Sequence, residues 1–255
     1  MRLKGKVALV TGSGTGIGRA IALIFGREGA AVAVNGRRPG PIEAVAKEIA
    51  EAGGRSLPAP GDMTRVPDIQ RVIRLAVDTF GQLDVLVNNA GTITSRTPAH
   101  ACPEDDWHRM IEGNLTSVFL CSKYALPELI RSKGNIINIS SVAGLMGTPN
   151  RAGYGAAKGG VVILSKGMAL DYARHGVRVN AICPGFVETD INREFLAGLK
   201  RTGEYEALEK RHPLGSLGRP DDVAAAAVYL ASDEARWVTG IALSVDGGMS
   251  AGLAG

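Results

Sequence analysis

The stretch "VALVTGSGTGIGRA", residues 7–20, carries the first decision about the fold. Four apolar residues read as a short buried strand, and glycines follow at 12, 14, 16 and 18. A helical pattern opens at Ile17. The familiar GxGxxG spacing fails, because it needs glycine at Ile17 or Arg19; what fits is Gly12, Gly16 and Gly18. Glycines let a backbone pass close to a pyrophosphate, and a helix N-terminus adds N–H donors and positive potential. Ser13 and Thr15 are expected to add hydroxyl donors to a phosphate. A glycine-rich turn alone says little. Between a first strand and a first helix it predicts a dinucleotide-binding loop.

Working outward, short β-branched runs alternate with longer helical patterns. Strands are predicted at 6–11, 31–35, 55–59, 83–88, 135–140, 178–183 and 241–245. Helices are predicted near 17–29, 41–53, 66–80, 104–132, 154–175 and 221–232. Pro103 with Glu104–Asp106, and Pro220–Asp222, read as helix starts, and Gly53–Gly54 as a stop. Nearly continuous apolar strands between helices argue for a parallel sheet covered on both faces. No linker or repeat interrupts residues 1–255, so the expectation is one α/β domain, a doubly wound three-layer fold with seven parallel strands. A chain of 255 residues buries enough surface to need no staple.

Composition narrows the class. The net charge is only +4, and between Asp190 and His212 five basic residues face five acidic ones. A nucleic-acid binder shows a one-sided basic surface, so that role is set aside. Three widely spaced cysteines, Cys102, Cys121 and Cys183, suit neither a disulfide framework nor a zinc site. No run is long and apolar enough for a bilayer, and the first apolar run is too short for a signal peptide. A cytoplasmic protein with no membrane and no metal is expected.

The corner "VNGRRPG", residues 34–40, sits where a doubly wound fold reads the adenosine ribose. A carboxylate there would receive the 2′-hydroxyl of NAD. Gly36 occupies the slot instead, with Arg37 and Arg38 beside it. A missing acid removes repulsion of a 2′-phosphate, and a guanidinium clamps one with charge-assisted bonds. The expectation is NADP(H), with NAD(H) as the alternative. Arg38 offers a stacking surface for the adenine, and Asp62 with Met63 is placed at its amino group. "NNAG", with Asn89, Ala90 and Gly91, follows the fourth strand and is expected to run beside the cofactor.

Thirteen residues after Ser141 comes "YGAAK". Tyr154 and Lys158 stand i and i+4, so on a helix they share one face. A free phenol, with a pKa of ~10, is a poor acid–base group near neutrality. A neighbouring ammonium and an oxidised nicotinamide both favour the phenolate. Ser141 is placed to hold a carbonyl or alkoxide oxygen by hydrogen bond.

Together TGxxxGxG, NNAG, Ser141 with YxxxK, "NAICPGFVET" and "GRPDDVA…VTG…VDGG" resemble the single-domain, Rossmann-type short-chain dehydrogenases/reductases, in order and along essentially the whole chain. The likeness includes 3-oxoacyl-carrier-protein reductases as well as glucose and steroid dehydrogenases. It implies Tyr154 as general acid/base, Ser141 orienting the substrate oxygen, and Lys158 on the nicotinamide ribose. It also implies Asn114 holding a water in a proton relay; read alone, Asn114 is a capping or packing residue. Pro184, Gly185, Val187 and Thr189 fall on the segment that grips the carboxamide and phosphates. The implied reaction is hydride transfer between a nicotinamide and a ketone/secondary alcohol. A non-catalytic dinucleotide sensor would be expected to lack Tyr154 or Lys158, and both are present.

The substrate, a small carbonyl or alcohol, is expected among Thr92, Ile93, Leu145, Met146, Arg151 and Phe186, under a variable lid at about 186–217. Arg151 and Arg193 are open to two readings, anion contact or plain surface arginines. The resemblance implies a homotetramer. In its support, the helix from Tyr154 carries Ala157, Val161, Leu164, Met168 and Tyr172, more apolar surface than one sheet face needs.

Overall fold

The computed structural model describes residues 1–252, and the sheet dominates it. Seven strands, β1 (Val7–Val10), β2 (Ala31–Gly36), β3 (Arg55–Pro60), β4 (Val85–Asn88), β5 (Asn135–Ile139), β6 (Arg178–Pro184) and β7 (Ala242–Val245), lie in the order β3-β2-β1-β4-β5-β6-β7. Every pairing is parallel. Parallel neighbours require crossover helices, which cover both faces.

Alternation of side chains explains how one strand serves two cores. From β1, Ala8 and Val10 enter one cluster, and Val7 and Leu9 enter the other. The first cluster is closed by α1 (Gly16–Arg27), α2 (Pro39–Glu51) and α9 (Pro220–Ala231). The second is closed by α3 (Val66–Phe80), α5 (Ser117–Ser132) and α6 (Ala152–Tyr172). α1 and α9 pack against each other across the first face. The predicted start at Pro220–Asp222 is real: Asp222 Oδ2 accepts the Arg219 N–H at 2.6 Å.

Two features depart from the sequence reading. The single helix expected at 104–132 is α4 (Glu104–Ile111) and α5, joined by a π-helical turn at Glu112–Thr116. Its cause is the Asn114 side chain. Nδ2 of Asn114 takes the Met110 carbonyl at 2.8 Å, the acceptor an α-helical ladder would give to the backbone. The lid at 186–217 holds α7 (Arg193–Thr202) and α8 (Tyr205–Lys210), which share a small cluster of their own around Leu196, Leu208 and Leu217. Its two ends are tied where Gly218 and Glu188 exchange bonds with Phe186 and Gly218.

Candidate active site

A cleft of about 850 Å³ opens at the carboxyl ends of β1, β2, β4, β5 and β6, where a doubly wound sheet binds ligands. The loop after β1 forms its floor. Gly12 has φ +61°, and a Cβ there would stand 2.9 Å from the Ala90 backbone. Gly16 also has positive φ and faces the cleft with Thr15 and Ile17. Gly18 does different work from that expected. It lies outside the cleft lining, and a Cβ would stand 2.4 Å from Asn89 Nδ2, so it is a packing glycine. Ser13 is a second correction. Its hydroxyl donates to the carbonyls of Val10 (2.8 Å) and Asn35 (3.2 Å), its N–H also goes to Asn35, and the side chain is fully buried. A short hydroxyl in a tight turn finds a main-chain acceptor before any ligand.

At the end of β2, Gly36, Arg37 and Arg38 line the cleft. Both arginines are exposed and have no ion pair among the described residues. Asn35 lies at the same edge of the cleft, its amide donating to the carbonyls of Ala59 and Gly61. Asp62 and Met63 complete this end; Asp62 Oδ1 accepts from the Thr64 N–H and hydroxyl.

Beyond β4, Asn89 donates to the carbonyls of Thr11 and Gly12, binding the two loops into one wall with Ala90 and Gly91. Asn114 holds the next segment: its amide donates to Thr92 O at 2.8 Å and accepts the Thr92 N–H at 3.1 Å. This is the packing role read from the residue alone, placed at the cleft wall. On the opposite side lie Pro184, Gly185, Val187 and Thr189. Thr189 Oγ1 is buried without a partner among the described residues. A buried orphan hydroxyl calls for an acceptor or donor from a ligand. Bare arginines, a glycine floor and this hydroxyl fit a nicotinamide dinucleotide.

Ser141, Tyr154 and Lys158 meet at the centre. Ser141 lies two residues beyond the end of β5, and its Oγ accepts the Ala143 N–H at 3.1 Å. Tyr154 and Lys158 share a face of α6, with Nζ 5.8 Å from the phenol ring centre. Nζ donates to Ile139 O at 2.8 Å, and burial pushes its pKa down to about 8. Burial pushes the Tyr154 phenol up; the Ser141 hydroxyl and the charges of Arg151 and Arg96 pull it back. The Arg151 guanidinium lies 6.0 Å from the ring.

The expected substrate residues separate. Thr92 and Ile93 line the main cleft, whereas Leu145, Met146 and Arg151 line a second hollow of about 500 Å³. Phe186 borders neither: its ring packs on Phe195 and His212 beneath the lid. The sequence reading missed Arg96, whose side chain reaches the lid residue Asn192 at 3.0 Å. A loop arginine carries no periodic signal that would single it out.

This fold and site define a dinucleotide-dependent oxidoreductase. A family profile described as "Enoyl-(Acyl carrier protein) reductase" matches residues 12–250. The chain is 43% identical over 252 residues to 2-(S)-hydroxypropyl-CoM dehydrogenase 3 of Xanthobacter autotrophicus, covering 98% of both. It is 39% identical to glucose 1-dehydrogenase 2 of Bacillus subtilis, over 97% of this chain and 96% of that protein. It is 38% identical to the 3-oxoacyl-[acyl-carrier-protein] reductase of Thermotoga maritima, over 98% and 99%. A short-chain type dehydrogenase/reductase from Mycobacterium marinum superposes with a TM-score of 0.89 at 33% identity, covering 98% and 97%. The chain belongs to the short-chain dehydrogenase/reductase family and acts on CH–OH groups with NAD(P).

Proposed function

We propose that the protein is an NADP(H)-preferring reductase of ketones to secondary alcohols, with Tyr154 as the proton donor. The observation that carries the cofactor preference is the end of β2: two exposed arginines, unpaired among the described residues, and no carboxylate in the segment. Arg37 clamps the 2′-phosphate and Arg38 covers the adenine, whose amino group meets Asp62. A nicotinamide bound in the cleft supplies the hydride. The chain's own groups manage the oxygen and its proton. Ser141 donates a hydrogen bond to the substrate oxygen, and the Tyr154 phenol gives up its proton as the alkoxide develops. Lys158 binds the ribose and, as an ammonium, lowers the cost of the phenolate left behind. Asn114 keeps Gly91 and Thr92 in register with the ring and is assigned the relay water. The enzyme works in the cytoplasm, in keeping with three free thiols.

Steady-state reduction with each cofactor tests this reading. NADPH is expected to give the higher kcat/KM, and Arg37→Glu should reverse the order, because a carboxylate repels the phosphate and accepts the ribose hydroxyls. Equal use of both cofactors by the wild type would remove the role given to Arg37. Tyr154→Phe should abolish turnover while NADPH still binds, as followed by its fluorescence.

A further inference from the structure

Three guanidinium groups gather around the Phe186–Phe195 pair, two of them, Arg151 and Arg96, close enough to act on the charge of Tyr154. Arg151, from the start of α6, and Arg211, from the end of the lid, each lie 5.8 Å from the Phe186 ring centre. Arg96, from the loop after β4, lies 4.4 Å from the ring centre of Phe195, which stacks on Phe186 at 6.3 Å. None of the three forms an ion pair among the described residues. Burial lowers the Arg151 pKa to about 10, and repulsion from Arg96 and Arg211 adds to the fall. Arg96 has one nitrogen donating to Asn192, while Nη1 is buried with no partner among the described residues.

Packing alone does not account for this arrangement. Aromatic faces attract one cation each, but they do not offset gathering three like charges in a half-buried space. Buried guanidinium donors normally meet carboxylate or phosphate-like oxygens. The missing partner must be an anion that comes and goes. We infer that the arginine cluster is a substrate subsite, and that the physiological ketone or alcohol carries an anionic group, a carboxylate or sulfonate, a short chain away from the reacting carbon. The 6.0 Å between the Arg151 guanidinium and the Tyr154 ring sets that short span. Arg96 and Arg211 hold the group from the loop and lid sides, so the same contact draws the lid onto the substrate. The inference rests on the ketone-reductase reading above and adds the substrate's charge to it.

The test compares acetoacetate and levulinate with their methyl esters, which keep the length and remove the charge. Binding to the NADP+-loaded enzyme is read by calorimetry, and turnover by NADPH consumption. The acid of the better pair should bind at least about tenfold tighter than its ester, as charge-assisted bonds to arginine imply, and salt should erode the preference. Arg96→Met and Arg211→Met should each collapse the acid-to-ester ratio in KM more than in kcat. Arg211 is exposed, so its variant keeps the test valid if Arg96→Met fails to fold. Acids binding no tighter than esters, including no measurable binding of either, would overturn the subsite. Ester reduction with NADPH in that case leaves the proposed reductase standing; loss of all ketone reduction would remove the reductase reading instead.

Discussion

Lys158 shows what the reaction asks of the fold. Its ammonium is almost fully buried and meets one carbonyl, Ile139 O, with no carboxylate to neutralise it. The folded-state pKa of about 8 lies below the ordinary lysine value, so the unfolded chain binds the proton more tightly. Stability should therefore rise as pH increases from about 8 to the ordinary value, and be lowest below 8, where the buried ammonium is charged. The cost at neutrality, set by desolvation of the ammonium, is on the order of 3 kcal/mol. Lys158→Met should thus raise the urea-unfolding free energy at pH 7 by roughly 1–2 kcal/mol, since the lost hydrogen bond takes back about 1 kcal/mol. It should also flatten the pH dependence and abolish turnover. A less stable variant would show that the ammonium is solvated through the cleft. This pair was legible in the sequence because i, i+4 spacing on one helix leaves little freedom in where two side chains go. Ser13 was not, because a hydroxyl in a tight turn answers to whichever carbonyl lies nearest. Arg96 was not, because its partners are brought by a lid about a hundred residues away.

Elements, as distinct from residues, were read well where periodicity is long and poorly where one side chain rewrites the backbone. All seven strands and five of the six predicted helices stand within a few residues of their predicted places, since apolar runs and start signals fix them locally. The π turn at Glu112–Thr116 was invisible, because it depends on Asn114 capturing a carbonyl on its own helix. The glycine loop depends on a residue far away in the chain. Gly18 sits on α1, where alanine would ordinarily be the better helix former. Here a Cβ would stand 2.4 Å from Asn89 and 2.5 Å from Gly12 O, and the backbone cannot yield as a flexible side chain would. Gly18→Ala should cost about 1–3 kcal/mol in thermal or urea unfolding and weaken NADPH binding, because it separates the loops after β1 and β4. Unchanged affinity for NADPH would mean that the two loops move independently.

At the scale of the molecule, the apolar surplus read on α6 divides between core and exterior. Ala157, Val161 and Met168 are buried within the subunit. The face of α6 that remains outside carries Ile163, 67% exposed, and Leu170, 81% exposed, with Phe119 exposed on α5. These residues are the proposed contact in a homotetramer. Ile163→Glu with Leu170→Glu should reduce the mass measured by light scattering while leaving the circular dichroism of the subunit intact. A wild type that runs as a monomer would end that proposal. The order of the strands has a consequence of another kind, in the making of the chain. β2 and β3 extend the sheet to one side of β1, and β4 to β7 then extend it to the other, each new strand joining an edge that already exists. During synthesis the sheet can be laid down as it emerges. Yet the face of α1 that packs on α9 waits for residues 220–231, nearly two hundred positions later. At ordinary rates of translation that wait is roughly 10–40 s. For that interval the nascent protein presents the apolar side of its nucleotide-binding helix to whatever chaperone reaches it first.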